Sequence, residues 1–152
     1  MKEIVVFRCN EEIDAPIDVV FQYLNEDEKI KLWNPLLIEN LYEENRNDQA
    51  QPKPSGKFKT VQKIGNHKIT VDVELKEYNP PYKVVLQSHS KEGISITKYY
   101  LSKKDTKTHL FVEESIIPSN LWYKLVAKLF SKAGLIPFKK QYKNLKLYVE
   151  TL

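Results

Sequence analysis

Glu11 and Glu114 are acidic residues standing where the surrounding pattern is apolar. Glu11 shares an alternating strand face with Phe7, Cys9 and Ile13, and Glu114 shares one with Leu110, Val112 and Ile116. A carboxyl group on such a face loses hydration, so its pKa rises. It is then suited to hold a proton as a general acid or to anchor the polar end of a ligand. His89 is the third candidate for proton transfer. The histidines His67, His89 and His109 fall in strands or at strand ends, and none forms an i,i+4 pair on a helix. Expected hairpin pairing puts His89 near Val71 and His109 near Tyr99, so they do not converge, and no metal is expected. Cys9 is the single cysteine, which leaves no internal disulfide and no cysteine-rich metal site; it reads as a small apolar strand residue. No Ser-His-Asp spacing occurs, and four glycines leave little material for a phosphate-binding loop.

The elements that must hold these residues are legible in the hydrophobic periodicity. Residues 3–13 alternate as a first strand, with Glu11 as the exception on its apolar face. Asp14 and Pro16 signal a helix start, and Ile17, Val20, Phe21 and Leu24 form an amphipathic stripe. A second short helix, 26–32, leads to Trp33 and is stopped by Pro35. Strands are then expected at 36–44, 56–65, 67–78, 82–90, 94–102 and 108–117. They are separated by the polar loop NRNDQAQPKPSG and by turns at Asn79-Pro80-Pro81, Lys91-Glu92-Gly93 and 103–107. Such spacing predicts an antiparallel meander of neighbours. After a cap at Pro118-Ser119-Asn120, residues 121–150 carry a helical stripe: Leu121, Leu125, Leu129, Leu135, Phe138, Tyr142, Leu145 and Val149. Pro137, following Gly134, predicts a bend or short break there. About 30 helical residues span roughly 45 Å, enough to lie along a whole sheet face.

Composition bounds the class. With 152 residues, 41% hydrophobic and 29% charged, the chain fits one soluble domain, residues 1–152, with a proper core. No apolar run is long enough for a transmembrane helix, and MKEIVVFRCNEE does not read as a signal peptide. A cytoplasmic location is therefore expected, as a monomer or weak dimer. The net charge of +4 is uneven: from Pro118 onward seven lysines face Glu150 alone, giving +6 there and −2 before it. Such a tail suits anionic lipid or an acidic protein. Nucleic acid is not expected, because most aromatics fall on the apolar stripe rather than among the basic residues.

The ordered motifs resemble the START/Bet v 1-like superfamily, also called SRPBCC. They are Ile13-Asp14-Ala15-Pro16, Phe21 after it, Trp33-Asn34-Pro35, Gly56, Tyr78-x-Pro80-Pro81, Tyr99-Tyr100-Leu101 and the Asn144 to Glu150 ending. Among its members the chain is most similar to small bacterial polyketide cyclase-like proteins. The resemblance covers nearly the whole chain and implies an α+β helix-grip fold. In that fold a curved seven-stranded antiparallel sheet, in the order β-α-α-β6-α, wraps a long C-terminal helix around a hydrophobic cavity. It implies a small hydrophobic partner, lipid-like or aromatic; no two-histidine-plus-carboxylate iron site of the oxygenase members is found, and no cofactor is expected. The cavity would be lined by Phe7, Trp33, Phe58, Thr60, Val71, Val73, Leu86, Ser88, Tyr100, Phe111, Leu125, Leu129, Phe130 and Phe138. Three functions remain open: carriage of that ligand; a cyclase or dehydratase using Glu11, Glu114 or His89; and a protein or membrane contact through the basic Lys139, Lys140 and Lys143. For the membrane contact the expected insertion point is Leu135, Ile136 and Phe138.

Overall fold

A computed structural model describes residues 2–42, 56–133 and 135–152; the side chains at positions 64, 130, 132–133 and 135–138 are outside that description. In chain order the elements are β1 (Ile4–Ile13), α1 (Ile17–Asn25), α2 (Asp27–Trp33), β2 (Leu37–Tyr42), β3 (Lys57–Ile64) and β4 (His67–Asn79). Then come β5 (Lys83–Ser90), β6 (Gly93–Lys104), β7 (Lys107–Pro118), α3 (Leu121–Ala133) and α4 (Leu135–Glu150). The strands make one curved antiparallel sheet in the order β1-β7-β6-β5-β4-β3-β2. This is the α+β arrangement that the periodicity and the motifs led to. The polar loop after β2 lies outside the described residues.

The Asp-Ala-Pro corner works as backbone geometry. Pro16 sits at the start of α1 with φ −62°, and no side chain caps the helix. The amide of Asp14 instead donates to the carboxylate of Glu150 at 2.7 Å, which fastens the end of β1 to the last turn of α4. Lys146 reinforces this clasp, donating to the carbonyl of Glu12 and to Glu150. The donors around Glu150, the Asp14 amide first, hold its carboxyl below the usual range. In α2, Asp27 accepts from Asn40 at 2.7 Å and from the Tyr42 hydroxyl, tying the edge strand β2 to the helix.

The core lies where α1, α2 and α4 meet β1, β7 and β6. Phe7, Ile13, Val20, Trp33, Leu110, Val112, Tyr142, Leu145 and Val149 are among its buried members. The C-terminal helical segment is described as α3 and α4, on either side of residue 134, which lies outside the described residues, and the two pack differently. α4 packs on β1, α1 and α2, while α3 packs on β1, β7 and α4. The inner side of β3–β5 has no helix packed closely on it among the described residues.

Gly93 opens β6 with φ +139°, in the region that L side chains avoid, and a Cβ built there would run into the carbonyl of Ile117. Gly93 pairs with Pro118 in the ladder, so neither strand can step aside. Gly93→Ala is expected to lower stability by about 2–3 kcal/mol. Chemical denaturation checks this; an unchanged midpoint would show that the hairpin relaxes freely.

Candidate functional site

Strand register decides which side chains meet. Phe7 pairs with Glu114, Glu114 with Thr97, Thr97 with Leu86, and Leu86 with Leu75, so one row of five side chains crosses the helix-facing side. The next row runs Ile116, Ser95, Ser88, Val73, Phe58 and Tyr42. Beyond it Val71 pairs with Thr60. Phe58, Thr60, Val71, Leu86, Ser88, Ser95 and Thr97 are all partly accessible, and Val73 is buried. The inner side of β3–β6 is thus a floor of apolar and hydroxyl side chains that is half-buried rather than packed solid.

Glu114 lies at the deep end of this floor. Thr97 Oγ1 donates to its Oε2 at 3.0 Å, and the Tyr142 hydroxyl also reaches it. Burial pushes its pKa from 4.5 up to about 7, while the two hydroxyls pull it back down. The hydroxyls of Tyr99 and Tyr142 lie 3.0 Å apart. Burial, then the charge of Glu114, raises the Tyr99 pKa; burial and both neighbours raise that of Tyr142, so both phenols stay protonated. Tyr142 is also the centre of an aromatic cluster. Its ring centroid lies 6.1 Å from Phe7, 5.8 Å from Trp33 and 6.1 Å from Tyr99. Chemically, the cluster is a carboxyl group balanced between its two protonation states near neutrality, beside hydroxyls that can only stay neutral. It can donate to or accept from one polar group of a bound molecule, and it can move a proton.

Other sequence candidates lie elsewhere. Glu11 pairs with Leu110 and is 8% exposed, on the same face as Glu114 but on the edge strand. Cys9 is buried between them, and burial followed by the charges of Glu11 and Glu114 pushes its thiol up to about 11, so it is inert. His89 pairs with Asp72 rather than Val71, is exposed, and faces the opposite side of the sheet. It borders a groove of about 470 Å³ at the β2–β4 end of the sheet, lined also by Leu41, Tyr42, Lys57, Phe58, Lys59, Asp72, Val73 and Glu74. Its lining mixes the two faces: Lys59 and Asp72, paired at 3.3 Å, alternate with Phe58 and Val73 of the inner floor. Among the described residues no three His, Cys, Asp or Glu side chains cluster as a metal site.

The expected cavity lining needs three corrections. Tyr100 and Phe111 pair with each other, 6.0 Å between rings, on the side opposite Tyr99 and Val112; with strand period two, the neighbouring Tyr99 is the one that faces inward. Leu125 and Leu129 are 52% and 60% exposed, because α3 turns Ala127 toward the body of the protein instead. Trp33 is buried, but as core: its indole N–H donates to the Tyr23 carbonyl at 2.6 Å. The side chains of Phe130, Leu135, Ile136 and Phe138 are outside the described residues; Lys139, Lys140 and Lys143 are exposed. Sequence reasoning overlooked Thr97, Tyr99 and Tyr142 as site residues. Their signal was present, since Thr97 and Tyr99 share phase with Leu101, and Tyr142 sits in the stripe of Leu145 and Val149.

Comparison with known proteins bears on this geometry. A family model described as Activator of Hsp90 ATPase homolog 1-like protein matches residues 14–134. No curated protein matches the sequence. Among solved structures, a protein of unknown function from Staphylococcus aureus is similar with a TM-score of 0.72 at 15% identity, over 99% of this chain and 95% of its own. Ara h 8.0201 gives a TM-score of 0.70 at 11% identity, over 99% and 100%. DynU16, from the dynemicin biosynthetic locus, gives 0.66 at 16% identity, over 95% of this chain and 47% of its own. At these identities the likeness is one of fold.

Proposed function

The chain belongs to the Activator of Hsp90 ATPase homolog 1-like family, within the START/Bet v 1-like superfamily, and on that premise we propose that it binds a small, largely apolar molecule on the inner face of its sheet. The observation that carries this reading is the floor of half-buried Phe58, Val71 and Leu86 around buried Val73, with the hydroxyls of Thr60, Ser88 and Thr97, ending at Glu114. Affinity comes from burying apolar area, at about 25 cal/mol per Å². Orientation comes from one polar group of the ligand meeting Glu114 and its hydroxyls. A lipid-like or aromatic molecule with a single carbonyl or hydroxyl end fits that chemistry. A cytoplasmic site of action accords with the single, inert thiol of Cys9.

The test is direct titration with an environment-sensitive amphiphile, anilinonaphthalene sulfonate, together with native mass spectrometry of the purified protein. Ser88→Trp fills the floor while leaving the core around Tyr142 untouched. It is expected to weaken probe binding about tenfold or more, with the melting curve retained. Equal binding by wild type and Ser88→Trp sinks the proposal.

The pKa of Glu114 also supports a second reading, proton-transfer catalysis of the cyclase or dehydratase kind, since a general acid works best when it titrates near the ambient pH. Glu114→Gln separates the two: a carrier keeps its ligand, whereas an enzyme keeps the ligand and loses turnover. A protein-binding role of the sort that the family description suggests would use the exposed Lys139, Lys140 and Lys143.

A further inference from the structure

Helix α3 is amphipathic, yet it is mounted with its apolar side outward. Ala127 is buried against the body of the protein and is 5% exposed, with Tyr123, Lys124 and Ser131 partly covered beside it. Turned away from that contact are Leu121 at 73%, Trp122 at 66%, Leu125 at 52%, Val126 at 38% and Leu129 at 60% exposed. These positions repeat at i, i+4, i+8 and i+1, i+5, so they form one continuous face. A contiguous apolar surface of this kind is uncommon on a soluble protein and marks a place where something sits.

Charge identifies what sits there. The helix contains no acidic residue, Lys128 is exposed beside the apolar face, and Lys124 lies between that face and the protein. The same end of the chain continues into exposed Lys139, Lys140 and Lys143, within a segment of seven lysines to one glutamate. A leucine- and tryptophan-rich face bordered by lysines is what an in-plane helix presents to a bilayer. The apolar side chains enter the acyl boundary, the indole sits at headgroup level, and the ammonium groups meet lipid phosphates. A second copy of this chain would bring like charges together around the same face, which opposes self-association.

We propose that the outward face of α3 is a docking surface for an anionic lipid bilayer, with Trp122, Leu125 and Leu129 as the inserting residues. Docking does not depend on the ligand reading above: it uses the opposite side of a different element, and it is measured without any ligand.

The test is co-sedimentation with vesicles of phosphatidylcholine alone and of phosphatidylcholine with phosphatidylglycerol, at low and high salt. Trp emission is followed in wild type and in Trp122→Phe. Binding is expected only to the anionic vesicles, weakened by salt, with a blue shift that Trp122→Phe removes because Trp33 is already buried. The double variant Leu125→Ser, Leu129→Ser, at exposed positions that leave the core alone, is expected to lower vesicle affinity about a hundredfold, each leucine counting for about tenfold. Absence of binding to anionic vesicles overturns the proposal, as does binding that the double variant leaves unchanged. So does a concentration-dependent dimer, seen by sedimentation, that the double variant abolishes while vesicle binding is absent: it would assign the face to a second copy of the chain.

Discussion

Replacing Glu114 by glutamine is expected to stabilise the protein at pH 8 by about 1–3 kcal/mol, and to change little at pH 4. The sign follows from the direction of the pKa. The carboxyl goes from 4.5 to about 7 on folding, chiefly through burial. Between those values the folded chain binds more protons than the unfolded one, so stability falls as pH rises through the window and levels off above it. The full shift corresponds to about 3 kcal/mol; the remaining accessibility of Glu114 and the amide hydrogens that glutamine must place bring the expected gain below that ceiling. Glu150 and Glu12 act in the opposite sense. Their carboxyls are held low, Glu150 first by the Asp14 amide and Glu12 first by Lys104, so their contribution is lost as pH falls. Wild type should therefore be most stable in mildly acidic solution, whereas Glu114→Gln should hold a plateau toward neutral pH. Urea denaturation from pH 4 to pH 8.5 decides it, and parallel curves for the two proteins would falsify the assignment of Glu114 as a buried, proton-holding carboxyl.

Tyr142→Ala is expected to cost about 3–5 kcal/mol, the range for removing a large buried ring. Tyr142 is 3% exposed and touches Phe7, Trp33 and Tyr99 from a helix otherwise anchored by Leu145 and Val149. No neighbouring side chain is positioned to collapse into the space without breaking this cluster. Tyr142→Phe keeps the ring and removes only the hydroxyl, leaving the Tyr99 hydroxyl without its partner at 3.0 Å, so about 1–2 kcal/mol is expected. The phenylalanine variant has a second readout. Tyr142 helps to hold the Glu114 pKa down, so its loss should move the titration of Glu114 above about 7. Carboxyl carbon chemical shifts followed against pH measure this. An unmoved titration would mean that the Tyr142 hydroxyl does not serve Glu114.

The sequence and the structure agree most where period-two and period-3.6 patterns are strong. HKITVDVELKEY alternates, and it forms β4; Ile17, Val20, Phe21 and Leu24 are spaced as a stripe, and α1 buries all of them. The cap at Asn120 was legible too, and its side chain accepts from the Tyr123 amide at 3.0 Å. Strand phase was harder. In Tyr99-Tyr100 the two rings point to opposite faces, and only the partners across the ladder, Val112 and Val84 for Tyr99, tell which one is inside. The orientation of α3 was not legible at all. Periodicity reports that Leu121, Leu125 and Leu129 share a face, but it does not report whether that face turns toward the sheet. Nor could local pattern bring Thr97 and Tyr142 to Glu114, since that meeting depends on pairing and packing between distant segments.

The position of β1 at the sheet edge, hydrogen-bonded to β7, has a consequence for how the chain acquires its fold. Ile4 to Ile13 find their partners at Thr108 to Ile116, so the first strand made is among the last to be paired. Until β7 is available, Phe7, Cys9 and Ile13 have no ladder to join, while β3 to β6 can form neighbour by neighbour. Closing a loop of that length carries an entropy cost that no local contact offsets, and it places the slow step at the joining of the two ends. On the ribosome, β1 must wait exposed until β7 has emerged.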